Sequence, residues 1–184
     1  LALEIEIDPL EQIDEDSFPK GLNITQECNE ALKMLKGNRE ERIQGLRIFC
    51  EYRDSRSFPL LLPLLDQPCP VERMSVVYAL GRNPCPSAVE KLVSLLKTDD
   101  NAYVRRATAW SLANYDNQIV LEPLINALKN DVAAVRLWSS SSLAEIGNVS
   151  LKNAQLAAEQ LLISLKIDNE PGVRSNCIWS LCRL

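Results

Sequence analysis

Six cysteines are the residues of this chain best equipped for covalent or metal chemistry: Cys28, Cys50, Cys69, Cys85, Cys177 and Cys182. Histidine is absent, which removes the commonest general base and the commonest metal ligand together. No two cysteines form a CxxC pair. Cys69 and Cys85 lie in two Pro-Cys-Pro turns that bracket one predicted helix of about a dozen residues. At 1.5 Å per residue they stand roughly 18 Å apart, whereas a disulfide needs Cα atoms within ~7 Å. Cys177 and Cys182 are five positions apart on a predicted helix and point to different sides. The pattern therefore predicts reduced thiols, no metal site, no cofactor and no catalytic residue. Cys69 and Cys85 are expected to be the exposed pair. Cys50, Cys177 and Cys182 are expected to fill or flank the core as small apolar groups.

A second set of residues recurs at fixed spacing. Arg42, Arg73, Arg105, Arg136 and Arg174 follow one another at steps of 31, 32, 31 and 38 residues. Seven positions after each comes Phe49, Leu80, Leu112, Leu143 or Leu181. A period in this range marks a solenoid of repeated units. Each unit reads as two helices. The predicted pairs are Thr25–Lys36 with Arg39–Tyr52, Phe58–Leu65 with Val71–Gly81, and Ala88–Lys97 with a helix ending at Asn114. Ile119–Lys129 with Val132–Ile146 and Lys152–Ile167 with Glu170–Leu184 complete the array. Pro63 should kink or shorten its helix. The step of 38 predicts a longer connection near Asn148 to Asn153.

The repeated arginines are assigned to structure. Arg105, Arg136 and Arg174 each follow an acid or amide by five residues: Asp100, Asp131 and Asn169. This places a cap at the start of each second helix, Asp100 or Asn101 serving in the third pair, and predicts a ladder of polar contacts along the inner turns. Positions three, four and seven after each arginine are small or apolar and form the core stripe. In the second pair these are Val76, Val77 and Leu80, and in the last pair Cys177, Ile178 and Leu181. Position five lies off that stripe and holds Tyr78, Trp110, Ser141 and Trp179. On the same face lie Met74, Arg106, Leu137 and the adjacent Trp138. Because second helices line the concave side of such arrays, Met74, Tyr78, Arg106, Trp110, Leu137, Trp138 and Trp179 are the candidate protein-binding residues. Trp, Tyr, Met and Arg are favoured in interface cores.

Composition bounds the alternatives. Apolar residues make up 46% of the 184, enough for a substantial core. Net charge is −5, but Glu4, Glu6, Asp8, Glu11, Asp14, Glu15 and Asp16 stand against Lys20 alone within residues 1–21. Residues 1–22 read as an acidic extended tail, with LALEIEID alternating at strand period, and 23–184 as the repeat domain. The repeats are then near neutrality, which argues against nucleic acid. No apolar run reaches the ~18 residues of a membrane span. The chain begins at Leu1 and stops inside a helical pattern, so a trimmed chain is expected.

The segments VRRATAWSLAN, AVRLWSSSSLAEIG and VYALGRNP together resemble the HEAT-like repeats of cyanobacterial and plastid proteins. That group includes the E- and F-type phycobilin lyase subunits and a HEAT-repeat partner of an A-type iron–sulfur carrier. Trp110 matches the lyase tryptophan five residues after the repeat arginine. Ser111 stands where those lyases carry a second tryptophan, and Arg106-Ala107 stand in place of an aromatic pair. The resemblance implies an all-α solenoid of about five helical pairs behind the acidic tail. It implies a non-catalytic adaptor in the cytoplasm or plastid stroma. The implied protein partner is an iron–sulfur carrier, a photosynthetic complex subunit or a phycobiliprotein. The alternative it implies is a phycobilin lyase or lyase-chaperone holding an open-chain tetrapyrrole between Trp110, Trp179 and Tyr78.

Overall fold

The computed structural model describes residues 24–184. The acidic tail lies outside the described residues. The rest is an α-solenoid of five helical pairs, with no strand among the described residues. The pairs are α1 (Ile24–Met34) with α2 (Arg39–Glu51), α3 (Phe58–Leu64) with α4 (Pro70–Arg82), and α5 (Val89–Thr98) with α6 (Ala102–Leu112). They continue as α7 (Leu121–Asn130) with α8 (Ala133–Gly147) and α9 (Leu151–Ile167) with α10 (Pro171–Leu181). The second helices pack on one another along the whole array, and the first helices touch their own neighbours far less. The second helices therefore form the inner, concave layer.

Local chemistry starts each helix. Asn38 and Glu41 make a reciprocal capping box on α2: Glu41 N–H donates to Asn38 Oδ1 at 3.1 Å, and Asn38 N–H donates to Glu41 Oε2 at 2.7 Å. Pro70 and Pro171 occupy the first turns of α4 and α10, where a missing N–H costs nothing. Pro63 lies in α3, which stops one residue later after only seven residues.

The core runs the length of the array between the layers. Phe49, Leu80, Leu112 and Leu143 are fully buried at the position seven residues after the repeat arginines. Each such side chain contributes about 1.5–3 kcal/mol by leaving water. The stripe fades in the last pair. Cys177 is buried and Leu181 half-buried, but Ile178 is 51% exposed, because no further second helix packs on α10 among the described residues. The small residues Ser111, Ser139, Ser140, Ser142 and Ser180 are buried at the seams of α6, α8 and α10 and let these helices approach closely.

The extra residues behind the 38-residue step do not make a long connection. Asn148–Ser150 alone join α8 to α9, and the additional length goes into α8 and α9, of 15 and 17 residues against 11 and 10 in α6 and α7. A hydrophobic face repeated without a breaker extends a helix more readily than it makes a loop.

The arginine ladder is present, but its register differs from the expected one. The first four arginines each reach an acid of the following pair. Arg73 donates to Asp99 at 2.8 and 2.9 Å, Arg105 to Asp131 at 2.8 and 2.7 Å, and Arg136 to Asp168 at 2.7 and 2.8 Å. Arg42 pairs with Glu72 at the start of α4. The spare guanidinium nitrogen turns back to a carbonyl of its own turn: Gly37, Gln67, Asp99, Asp131 or Asp168. The capping expectation is corrected accordingly. Asn101 caps α6 through the N–H groups of Tyr103 and Val104. Val132 and Glu170 precede α8 and α10 without a side-chain cap, because Asp131 is committed to Arg105 and the Asn169 side chain makes no cap.

The cysteines are all free. Cys69 is half-buried, but Cys85 is buried at 3% exposure, so the two Pro-Cys-Pro turns are not equivalent. In the second turn the chain enters a 3₁₀ segment, Pro86–Ala88, that folds the thiol inward. Cys182, expected beside the core, is exposed at the end of α10. No described helix is long and apolar enough to cross a membrane.

Candidate protein-binding face

The concave face is built from α4, α6, α8 and α10. Its C-terminal half holds an open cleft of about 860 Å³. Trp110 from α6, Trp138 from α8 and Trp179 from α10 all line it. These are the chain's three tryptophans, so three successive inner helices each contribute one. Helical spacing explains the convergence, since Trp110 and Trp179 stand five residues after their arginines and Trp138 two after Arg136, and both positions point away from the stripe at three, four and seven.

The walls are unequal. Trp110 is half-buried and packs on α4. A Cβ added at Gly81 would lie 2.5 Å from Trp110 Cζ3, so glycine is what admits the indole there. Tyr78 lies beside it, with ring centroids 5.3 Å apart and planes tilted by 55°, a geometry aromatic pairs favour. Arg82 covers the same indole at 5.8 Å. On the far wall Trp179 is 47% exposed, with Arg183 at 4.5 Å over its ring. Arg183 is also paired with Glu145. The floor is polar: Asn176 Nδ2 donates to Ser140 Oγ, Ser141 Oγ and the Leu137 carbonyl, and Ser142 Oγ donates to the Ala109 carbonyl at 2.7 Å.

The expected residues divide into three groups. Trp110, Trp138 and Trp179 line the cleft directly. Tyr78 and Arg106 form a second tier behind Trp110: Arg106 Nη2 donates to Tyr78 Oη at 3.3 Å and its guanidinium lies 5.7 Å over the Tyr103 ring. Met74 and Leu137 are half-buried and pack against the core. Sequence reasoning missed Arg82, Glu145 and Asn176. Arg82 and Glu145 stand nine positions after their repeat arginines, beyond the leucine where the motif was read as ending. That position also holds Asn114 and Arg183, so its mixed charge was the available signal.

Two smaller clefts, of about 460 and 500 Å³, open beside the Arg105–Asp131 and Arg136–Asp168 rungs. Their arginines are already engaged. Among the thiols, burial pushes Cys50 and Cys177 up to about 11, which keeps both protonated. Cys69 is the opposite case. Backbone N–H groups of Glu72 and Val71 and the Arg39 guanidinium, 2.9 Å from the sulfur, hold its thiol below the usual range.

Comparison with known proteins bears on the repeats. The HEAT-repeat family model matches residues 29–113 and 89–182. The chain belongs to the HEAT repeat family. The five pairs are thus HEAT pairs, and the concave cleft is the inner surface of a HEAT array. A chain in the structure of the complex of CpcE and CpcF of phycocyanin lyase from Nostoc sp. PCC7120 is similar in fold. It has a TM-score of 0.71 and 19% identity, over 85% of this chain and 98% of that chain. No curated protein matches the sequence.

Proposed function

We propose that this HEAT array is a non-catalytic adaptor that grips a protein partner in the concave cleft, with Trp110 as its principal anchor. The observation that carries this reading is the convergence of Trp110, Trp138 and Trp179 from three inner helices on one open cleft. Large amphipathic rings on a rigid scaffold supply contact area at little entropic cost. Asn176, Ser141 and Ser142 on the floor already have hydrogen-bond partners within the array, which leaves the indoles as the main contact groups. The biological setting we favour is assembly of an iron–sulfur or photosynthetic complex in a cytoplasm or stroma.

A second reading is favoured by the same aromatic walls together with the fold likeness to a chain of a phycocyanin lyase complex. In it, the cleft holds an open-chain tetrapyrrole for a lyase or lyase-chaperone. Adding such a chromophore and recording its visible absorbance separates the two: a red-shifted band lost in Trp110→Ala supports the second.

The test of the first is Trp110→Ala. A fully buried Trp→Ala change costs about 3–5 kcal/mol of folding. Trp110 is only half-buried, so the expected loss is below ~2 kcal/mol in denaturant unfolding. Affinity for the partner recovered from native extract should fall by about 2 kcal/mol or more, roughly thirtyfold. A loss of 3–5 kcal/mol in folding, with binding unchanged in Tyr78→Ala and Arg106→Ala, would refute the concave reading.

A further inference from the structure

The cations of the inner layer differ in what holds them. Arg42, Arg73, Arg105 and Arg136 each hold a carboxylate on the ladder, and Arg183 holds Glu145 on the far wall of the cleft. Arg82 and Arg106 flank the near wall, one on each side of the Tyr78–Trp110 pair. Neither has a carboxylate within 4.0 Å among the described residues. Arg106 is half-buried, its Nε is enclosed without an acceptor, and its one hydrogen bond to Tyr78 is long at 3.3 Å. A half-buried guanidinium with an unmet N–H is costly in isolation and favours an anion. The concave face thus carries two cations without a carboxylate beside its aromatic walls: Arg82, which lines the cleft, and Arg106, behind the Tyr78–Trp110 pair.

We propose that the cleft selects an extended partner segment in which an aspartate or glutamate stands two residues from an aromatic or large aliphatic side chain. The apolar side chain lies among the three tryptophans, and the carboxylate meets the guanidinium groups that flank the Tyr78–Trp110 pair, Arg82 at the cleft wall and Arg106 beside Tyr78. The spacing follows from geometry. Residues i and i+2 of an extended chain share a face and lie about 6.6 Å apart, comparable with the 5.8 Å between the Arg82 guanidinium and the Trp110 ring. This inference rests on the concave face being the binding face and adds the chemistry of the occupant.

The experiment is selection from a displayed library of random dodecapeptides on the immobilised full chain. Winners are measured against native protein, Trp110→Ala, Arg82→Gln, Arg106→Gln and Arg106→Lys, each verified as folded by circular dichroism. Enriched peptides should carry Asp or Glu two positions from Trp, Phe, Tyr, Leu or Ile. Their affinity should fall about tenfold or more in Arg106→Gln and Arg82→Gln, with partial retention in Arg106→Lys, which keeps charge but loses the planar fork. Changing the peptide acid to its amide should produce the same loss, and Arg106→Gln should then add little. Peptides without acid enrichment that bind Arg106→Gln undiminished would overturn the carboxylate inference while leaving the concave reading intact. Peptides that bind Trp110→Ala as well as native protein would overturn the concave reading itself. Failure to enrich any peptide overturns the inference, and a tetrapyrrole band that requires Arg106 would then assign these guanidinium groups to a chromophore instead.

Discussion

Asp131→Asn is the substitution that tests how the repeats hold together. Asp131 accepts two hydrogen bonds from Arg105, at 2.8 and 2.7 Å, with side-chain exposures of 18% for the arginine and 12% for the aspartate. The amide can accept one of these bonds, and the charge is lost. Breaking a fully buried pair costs about 3–5 kcal/mol, and an exposed pair contributes about 0–1. The partial exposure of this rung, and the bond that Arg105 keeps to the Asp99 carbonyl at 2.7 Å, place the expected cost at about 2–3 kcal/mol. The loss should be local, since repeat arrays are stabilised by nearest-neighbour terms. Denaturant unfolding gives the total. Hydrogen exchange should show the α7–α10 block opening before α1–α6. Glu145→Gln is the internal control, because the Arg183–Glu145 pair is 44% and 43% exposed and should cost under ~1 kcal/mol. Equal, small effects from both substitutions, with uniform exchange along the array, would show that the ladder is surface decoration and that apolar packing alone couples the pairs.

Three other outcomes are expected. Cys69 should be the first thiol alkylated in the folded protein, because helix N–H groups and Arg39 favour its thiolate, whereas Cys50 and Cys177 should resist until unfolding; mass mapping after brief iodoacetamide treatment decides this. Acid should destabilise the fold. The Asp54 carboxyl is held low by Arg56 and the Asp168 carboxyl by Arg136; for Asp131, burial pulls upward but hydrogen bonds from Arg105 and the Val132 N–H prevail. Groups whose folded pKa is depressed stabilise fully above their unfolded value near ~4 and lose that contribution as pH falls through the folded value. Thermal midpoints should therefore drop below about pH 4, with no imidazole step between pH 5 and 8; an unchanged midpoint at pH 3 contradicts the ladder's role. Removing residues 1–22 should move the midpoint by no more than a few degrees, and a large drop in calorimetry would mean that the tail contributes to the fold.

Fold class was readable because three of the four arginine steps are 31 or 32 residues and a large apolar residue follows every arginine by seven positions. The partner of each arginine was not readable from the same pattern. Asp99 and Asp131 lie 26 residues beyond Arg73 and Arg105, and Asp168 lies 32 beyond Arg136. A cap five residues away on the same helix is the simpler local inference, and tertiary pairing overrode it. In the cleft, the tryptophans stood out because 5% aromatic content makes their recurrence conspicuous. Arg82 did not, because an exposed arginine at a helix end ordinarily signals a solvated terminus.

The junction between α6 and α8 differs from its predecessors at the end opposite the ladder. Ten residues after Arg73, Asn83 donates to the Phe49 and Tyr52 carbonyls of α2's end. Ten after Arg105, Tyr115 donates to the Leu80 carbonyl of α4 at 3.0 Å. Ten after Arg136 stands Ile146, which has no donor to offer α6. The α6–α8 junction is fastened instead by Arg105–Asp131 at one end and by the Ser142 hydroxyl, which donates to the Ala109 carbonyl at 2.7 Å, inside the seam. The cleft straddles that junction, with Trp110 on α6 and Trp138 on α8. The gap between the two indoles is thus set by a tie within the buried seam and by apolar packing, with no side-chain donor at position ten to share the task.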